Sequence, residues 1–471
     1  MTTYNSINDL PTTKDFSLGT DHFVEKLVLD IQNSVPPKTF SITGYWGSGK
    51  TSALAMLFEK LTKINPLEVS KVDVQERTDC IGIWFEAWRY QHEEFPIVAL
   101  LQEVKKNFST SDKFINSAGK LASVSILGAL TVLDGVIKSA TGISGISKIK
   151  GIGESYEKEN LLSRLSSDHI NDALKQAIDT LLDNESTPKQ KLVIFIDDLD
   201  RCEPEMAISL LEGLKLYLNI PNCTVVMAID AHQIESNILK KIDGDNCNNR
   251  FQGVEYMEKL CQDSHRLPVP DTKQRNDFLI NCLKKLLSDL DIQNQTVIDD
   301  LSVAINNYDC LPANPRRLKM LATRISSIFR YVKVSDINIL SSFCDANGVS
   351  ENKRDELFAI GVLIISSLSV NYRRLYERLE KSSLFTSELF DFCNTPDNNR
   401  YNQKQSVFYE FQNINTDSRT VVEHPSDLGV FRLTSLFKEA ANSILVKYEI
   451  DRVTYGDMLH QIIKIYNTPK H

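Results

Sequence analysis

The stretch Gly44-Tyr45-Trp46-Gly47-Ser48-Gly49-Lys50-Thr51 limits what this chain can fold into more than any other. It fits the pattern G-x-x-x-x-G-K-[ST] in full. An apolar strand, Thr39 to Thr43, stands before it, and a helix-favouring run, Ser52 to Leu61, follows. A strand that passes through a glycine turn into a helix is the setting of a phosphate-binding loop. Gly44, Gly47 and Gly49 let the backbone turn with its N–H groups facing inward, and Trp46, Ser48 and Ser52 complete the expected nucleotide contacts. Lys50 is placed to reach the outer phosphates and Thr51 to offer a hydroxyl to Mg²⁺, while the helix N-terminus favours the remaining negative charge. ATP and Mg²⁺ are the expected ligands.

Binding alone needs only the loop; hydrolysis also needs a carboxylate for the metal and a group that positions water. The segment Lys191 to Asp197 (KLVIFID) is continuously apolar until its end, as suits a central parallel strand covered on both faces. Its tip carries Asp197, expected to hold Mg²⁺ through water, and Asp198, expected to orient or deprotonate the attacking water. Glu86, at the end of a second strand, Cys80 to Glu86, competes with Asp198 for that role or pairs with Arg89. Arg201 either stabilises charge on the transferring phosphoryl group or pairs with Asp200 or Glu203. Asp230, after the strand Cys223 to Ile229, either senses the outermost phosphate or caps the next helix.

Helices are expected at Asp21 to Ser34, Phe95 to Asn107, Asn160 to Leu182, Pro204 to Leu218 and Asp230 to Lys240, with a short fifth strand at His265 to Val269. Strands alternating with helices make a doubly wound α/β layer. After Pro270 the alternation stops, and helical periodicity continues through Asp277 to Leu290, Gln295 to Ile305, Pro315 to Val332, Lys353 to Leu368 and Leu433 to Tyr448. The polar interval Asn394 to His424 reads as a long loop. The chain of 471 residues thus divides into an α/β core over 1–270, a helical lid over 271–332 and a helical C-terminal domain over 333–471. An apolar helical insertion at 108–158 interrupts the core.

A net charge of -9 gives no general field for nucleic acid, leaving only a local basic patch as a route to it. The nine cysteines are scattered and never spaced C-x-x-C, which points to free thiols in a reducing cytoplasm. The longest charge-free apolar runs, Leu121 to Leu133 and Leu357 to Val370, fall short of the roughly 20 residues that span a bilayer. A peripheral membrane contact through residues 116–153 stays open as an alternative. Asn314-Pro315-Arg316-Arg317 opens a helix with an Asn cap, proline at the first position and two arginines in the first turn. Cations there oppose the helix dipole, which costs something unless an anion is nearby, so either Arg316 or Arg317 reaches nucleotide phosphates from the lid or the pair forms a solvated basic turn. Asn352-Lys353-Arg354-Asp355 matches N-K-x-D, the guanine-selecting pattern, but it opens a helix far beyond the α/β layer and reads as a capping sequence.

Taken together, these motifs resemble the KAP family of P-loop NTPases. The resemblance rests on Asp15-Phe16-Ser17-Leu18-Gly19 before the first helix, the glycine loop, Trp84-Phe85-Glu86-Ala87-Trp88-Arg89-Tyr90, Phe195-Ile196-Asp197-Asp198-Leu199-Asp200-Arg201-Cys202, Ala228-Ile229-Asp230, Tyr256-Met257-Glu258-Lys259-Leu260 and Asn314-Pro315-Arg316-Arg317. It implies an ASCE-type five-stranded parallel sheet in the order 5-1-4-3-2 followed by helices. It also implies Leu18 and Gly19 near the adenine, interest in Lys259, and Walker roles for Lys50, Thr51, Asp197 and Asp198. Glu86 stands where the family commonly has Asn. Bacterial members resemble parts of antiphage defence systems, including the ATPase of the four-gene Qat type. That likeness implies a switch or assembly engine working with protein partners, as a homo- or hetero-oligomer.

Overall fold

The structure, a computed structural model, describes residues 7, 10–13, 18–67, 80–92, 96–109, 175, 178, 182, 190–217, 219–243, 255, 257–288, 293–307, 311–332, 336, 342, 351–394, 437, 445–447 and 449–468. The expected insertion at 116–153, nearly all of the polar interval 394–424 and most of the helices expected at 160–182 and 433–448 lie outside the described residues. The chain divides into two compact units. One is an α/β unit over 11–16 and 20–268; the other is a helical unit made of 1–10, 17–19 and 269–471.

In the α/β unit, strands β1 (Lys38–Thr43), β2 (Cys80–Glu86), β3 (Lys191–Asp197), β4 (Cys223–Ile229) and β5 (Asp263–Arg266) form one parallel sheet in the order 2-3-4-1-5. Read from the other edge, this is the expected 5-1-4-3-2. Continuous apolar strands sort their side chains by the two-residue period of a pleated strand. Phe40 and Ile42 of β1, Val193 and Phe195 of β3, and Val226 and Ala228 of β4 face one core, which they share with Leu27 and Ile31 of α1 (Thr20–Asn33) and with Leu54 and Leu57 of α2 (Lys50–Thr62). Leu192, Ile194 and Ile196 of β3, with Val225, Met227 and Ile229 of β4, face the other. There they meet Leu100 of α3 (Pro96–Ser109), Leu210 of α4 (Pro204–Tyr217) and Ile234 of α5 (Ala231–Asp243). Helices on both faces follow from the central strands β3 and β4, which are buried along nearly their whole length.

The parallel register brings the strand ends together. Thr43 lies opposite both Ile229 and Arg266, and Glu86 opposite Asp197, so the turns after β1, β2, β3, β4 and β5 emerge along one edge. β5 corrects the expected His265 to Val269: it runs from Asp263 to Arg266. Leu267 gives its N–H to the Thr43 carbonyl at 2.8 Å, and Pro268, which has no N–H, ends the pairing.

The helical unit holds α6 (Thr272–Leu286), α7 (Gln293–Asn307), α8 (Pro315–Tyr331), α9 (Glu351–Asn371), α10 (Arg373–Lys381), α11 (Phe385–Asn394) and α12 (Arg452–Asn467). α9 is buried without a break from Leu357 to Leu368, which accounts for its long apolar run as a central helix. Residues 271–332, expected as a lid, share one hydrophobic core with the described helices that follow them. Among the described residues, no helix is long and apolar enough to cross a membrane. Cys80, Cys202, Cys223, Cys261 and Cys282 are free and buried.

Candidate functional site

The glycine loop leaves β1 and enters α2 by backbone geometry that glycine permits. Gly47 and Gly49 have φ values of 80° and 99°, in the left-handed region. At Gly49 a Cβ would meet open space, so its requirement is purely conformational; at Gly44 a Cβ would stand 2.7 Å from Ser48 Oγ. The loop is anchored by the Gly44 N–H to the Ile229 carbonyl at 3.2 Å and by the Ser48 N–H to the Tyr45 carbonyl at 3.0 Å. The first turn of α2 closes with the Ala53 N–H on the Gly49 carbonyl. Ser48 Oγ is buried with no hydrogen-bond partner among the described residues, and Ser52 Oγ accepts from the Thr12 N–H at 3.2 Å. Trp46 stands exposed at the loop, while Tyr45 stacks on His232 with ring centroids 5.9 Å apart and accepts a bond from Arg266 through its hydroxyl.

β4 separates β1 from β3, so the loop and the β3 tip face each other over one intervening strand. Thr51 donates its hydroxyl to Asp197 Oδ1 at 3.2 Å, joining two points 146 residues apart in sequence. Burial pushes the Asp197 carboxyl up to about 7, reinforced by the neighbouring charge of Asp198 and opposed by the Thr51 hydrogen bond. Asp198 is held at φ 58°, unusual for a residue with a Cβ, and ion-pairs with Arg201 Nε at 2.9 Å. Burial raises its pKa as well, with the Arg201 charge pulling the other way. Of the roles open to Arg201, the structure therefore shows pairing, but with Asp198 rather than with Asp200 or Glu203. Glu86 is ion-paired with Arg89, the structural alternative to the water-positioning role.

Asp200, which the sequence reading left without a role of its own, turns inward to Lys50: Oδ2 and Nζ are 3.0 Å apart, and both side chains are nearly buried. Its proximity to the loop had no local signal, because three carboxylates crowd the Asp197 to Asp200 string and only the fold distinguishes them. Asp230 is also buried, at the end of β4, where its carbonyl takes the Ile234 N–H at 3.1 Å. Lys259 is remote from the loop. It lines a crevice of about 110 Å³ with Pro37 and Lys38 at the start of β1, at the opposite end of that strand.

Four expected contacts belong to the helical unit. The Asn314 side chain caps α8 by accepting from the backbone N–H groups of Arg316 and Arg317 at 3.0 and 3.3 Å, with Pro315 at the first position. Leu18 packs on the helical core, and Gly19, at φ 77°, sits where a Cβ would meet the Gln274 side chain at 2.6 Å. Gln274 is part of the capping box of α6 with Asp271.

Three observations make the loop fit a triphosphate with magnesium. Left-handed glycines shape an anion-binding turn at the start of a helix, a buried hydroxyl on Ser48 lacks a partner among the described residues, and a hydroxyl–carboxylate pair supplies the hard oxygen ligands that Mg²⁺ takes. A family model described as the KAP family P-loop domain matches residues 20–332. The chain belongs to the KAP family of P-loop NTPases. Among curated relatives, an uncharacterized protein of Methanocaldococcus jannaschii is 28% identical over 183 residues, which cover 32% of this chain and 90% of that protein. The phage T7 exclusion protein of Escherichia coli strain K12 is 24% identical over 157 residues, 33% of this chain and 20% of its own length. This KAP chain thus matches only a fifth of the exclusion protein.

Proposed function

We propose that this KAP-family chain is an ATP-hydrolysing switch that assembles with protein partners in the cytoplasm and serves antiphage defence. The observation that carries the reading is the 3.2 Å contact between Thr51 and Asp197, which unites the loop hydroxyl with the β3 carboxylate at one sheet edge. Magnesium, when bound, neutralises charge on the outer phosphate oxygens, and Thr51 and Asp197 are the residues that would hold it. The loop N–H groups and the start of α2 bind the phosphates, and Lys50 meets the outermost ones. Asp198, at the tip of the strand, takes the proton of the attacking water. The raised pKa of its carboxyl makes it a stronger base than an exposed aspartate once ionised. Arg201, paired with Asp198, orients that carboxylate.

The defence role is supported by likeness to the phage T7 exclusion protein, and the partner role by the separate helical unit that the chain carries in addition to the α/β unit. Phosphate release from ATP by the purified chain, together with plaque counts on cells carrying it, tests both parts. Lys50→Ala is expected to abolish turnover and protection together. Protection retained by a variant that binds no nucleotide rejects the switch. Mass spectrometry of proteins retained by Asp198→Asn in the presence of ATP is expected to return a recurring partner, and its absence favours an autonomous ATPase.

A further inference from the structure

The ammonium of Lys50 has three N–H donors and no more. Its Nζ lies 2.9 Å from the Gly44 carbonyl, 3.2 Å from the Tyr45 carbonyl and 3.0 Å from Asp200 Oδ2. Two donors are thus held by loop carbonyls and the carboxylate stands as an ion-pair partner at 3.0 Å, so a phosphate oxygen that approaches Nζ crowds or replaces one of these three oxygens. The two carbonyls belong to a loop tied down through Gly44 and Ser48. Asp200 is different in two ways. It is an anion, so it repels the phosphates that approach the same cation. It also sits on the short Leu199–Arg201 turn, which hangs on the left-handed Asp198 and is closed by the Arg201 N–H to the Asp198 carbonyl at 3.2 Å.

We propose that Asp200 is a positioning residue that competes with the outer phosphates for Lys50, so that a nucleotide long enough to reach Nζ exchanges the carboxylate for phosphate. The exchange frees the Asp200 carboxylate and, through the Leu199–Arg201 turn, is felt at Asp198 and Arg201. A monophosphate too short to reach Lys50 leaves the pair intact. Asp200 therefore sets how many phosphates a nucleotide must carry before the turn responds, and it lowers the affinity for those that qualify.

This inference rests on the reading of the loop as an ATP site, and the test separates the two. Isothermal titration of the full chain and of Asp200→Asn with AMP, ADP and ATP is the measurement. The variant is expected to bind ADP and ATP about tenfold more tightly while its AMP affinity stays within about twofold of the unmodified chain. A merely structural role for Asp200 moves AMP along with the others. Asp200→Glu keeps the charge and is expected to show no tightening. If Asp200→Asn does not fold, Asp200→Ser carries the same comparison. Unchanged or weaker ADP and ATP binding in the charge-removed variant, or equal tightening for AMP, overturns the role of Asp200. Failure of the unmodified chain to bind ADP or ATP overturns the reading of the site instead.

Discussion

The two units bury charge on different terms. In the α/β unit, Lys50, Asp197, Asp200 and Asp230 are all under 9% exposed, and all lie at the edge where the strands end. In the helical unit the buried cation Arg275 donates to the backbone carbonyls of Asp271 and Leu311 and to the Thr272 hydroxyl. These three acceptors are neutral and set by chain geometry, and through them Arg275 ties the start of α6 to Leu311. The Lys50 partners include a carboxylate on a short turn, and the Asp197 carboxyl sits at the boundary between protonated and ionised near neutral pH. Buried charge whose partners can be exchanged is costly to keep without a ligand to use it.

Removing the lysine is the strongest way to break that contrast. Lys50→Ala takes away the cation for the outer phosphates and leaves the Asp200 carboxylate buried and without its ion-pair partner. Nucleotide affinity is expected to fall by at least about a hundredfold, and urea unfolding to show a loss of about 3 kcal/mol. The double variant Lys50→Met with Asp200→Asn removes both charges, and it is expected to regain most of the stability without regaining ATP binding. If Lys50→Ala proves as stable as the unmodified chain, the pair at this edge is no more than a surface contact.

The next largest effect belongs to the helical unit. Leu363 is fully buried at the middle of α9. Leu363→Ala is expected to cost about 3 kcal/mol by loss of buried area and creation of a cavity. ATP affinity measured by titration below the unfolding transition is expected to stay within about twofold, because nothing in that core exchanges partners with a ligand. A large change in affinity erases the distinction drawn above.

What could be read from the sequence followed the range of each signal. The glycine loop, the apolar run of β3 and the Asn-Pro cap of α8 are local patterns, and each was legible within a dozen residues. The polar strand β5 was not placed correctly, because Asp263, Ser264, His265 and Arg266 carry no strand-like alternation and the apolar Leu267 and Val269 drew the reading onward. Helices α10, α11 and α12 went unnamed. Two of them are short, and in α12 Gly456 interrupts the pattern, though its lack of a side chain is what lets the helix approach the Ser383 carbonyl, 2.7 Å from where a Cβ would stand. The pairing of Lys50 with Asp200 depends on a sheet order that places residues 150 apart at one edge, and no local spacing encodes it.

A smaller effect is the pH dependence set by Asp197. Its carboxyl titrates near 7 in the folded chain against 3.8 for the ordinary group, so between those values the folded state holds a proton that the unfolded state has released. Stability of the metal-free chain is therefore expected to fall as pH rises through this window and to level off above about pH 7. Asp197→Asn is expected to flatten that slope in urea titrations. Magnesium needs the ionised carboxylate, so its affinity is expected to weaken by about tenfold per unit below about pH 7, with one proton released on binding. Equal magnesium affinity at about pH 5 and about pH 8 removes Asp197 from the metal site.

The smallest expected change isolates backbone geometry from charge. Gly49 has φ 99° with open space where a Cβ would stand, so Gly49→Ala introduces no clash and only the conformational penalty of a side chain in the left-handed region. That penalty is about 1 to 2 kcal/mol. The protein can meet it in two ways: by keeping the turn and losing that stability, or by relaxing the turn and moving the Gly49 and Lys50 N–H groups away from the phosphates. Titration with ADP distinguishes them, since the first leaves affinity near that of the unmodified chain and the second lowers it while stability recovers. The anchoring bonds from Gly44 and Ser48 hold the loop from its other end, and Ala53 fixes the turn by bonding the Gly49 carbonyl itself. The loop is therefore expected to keep its turn, so that denaturant stability drops while ADP binding barely moves.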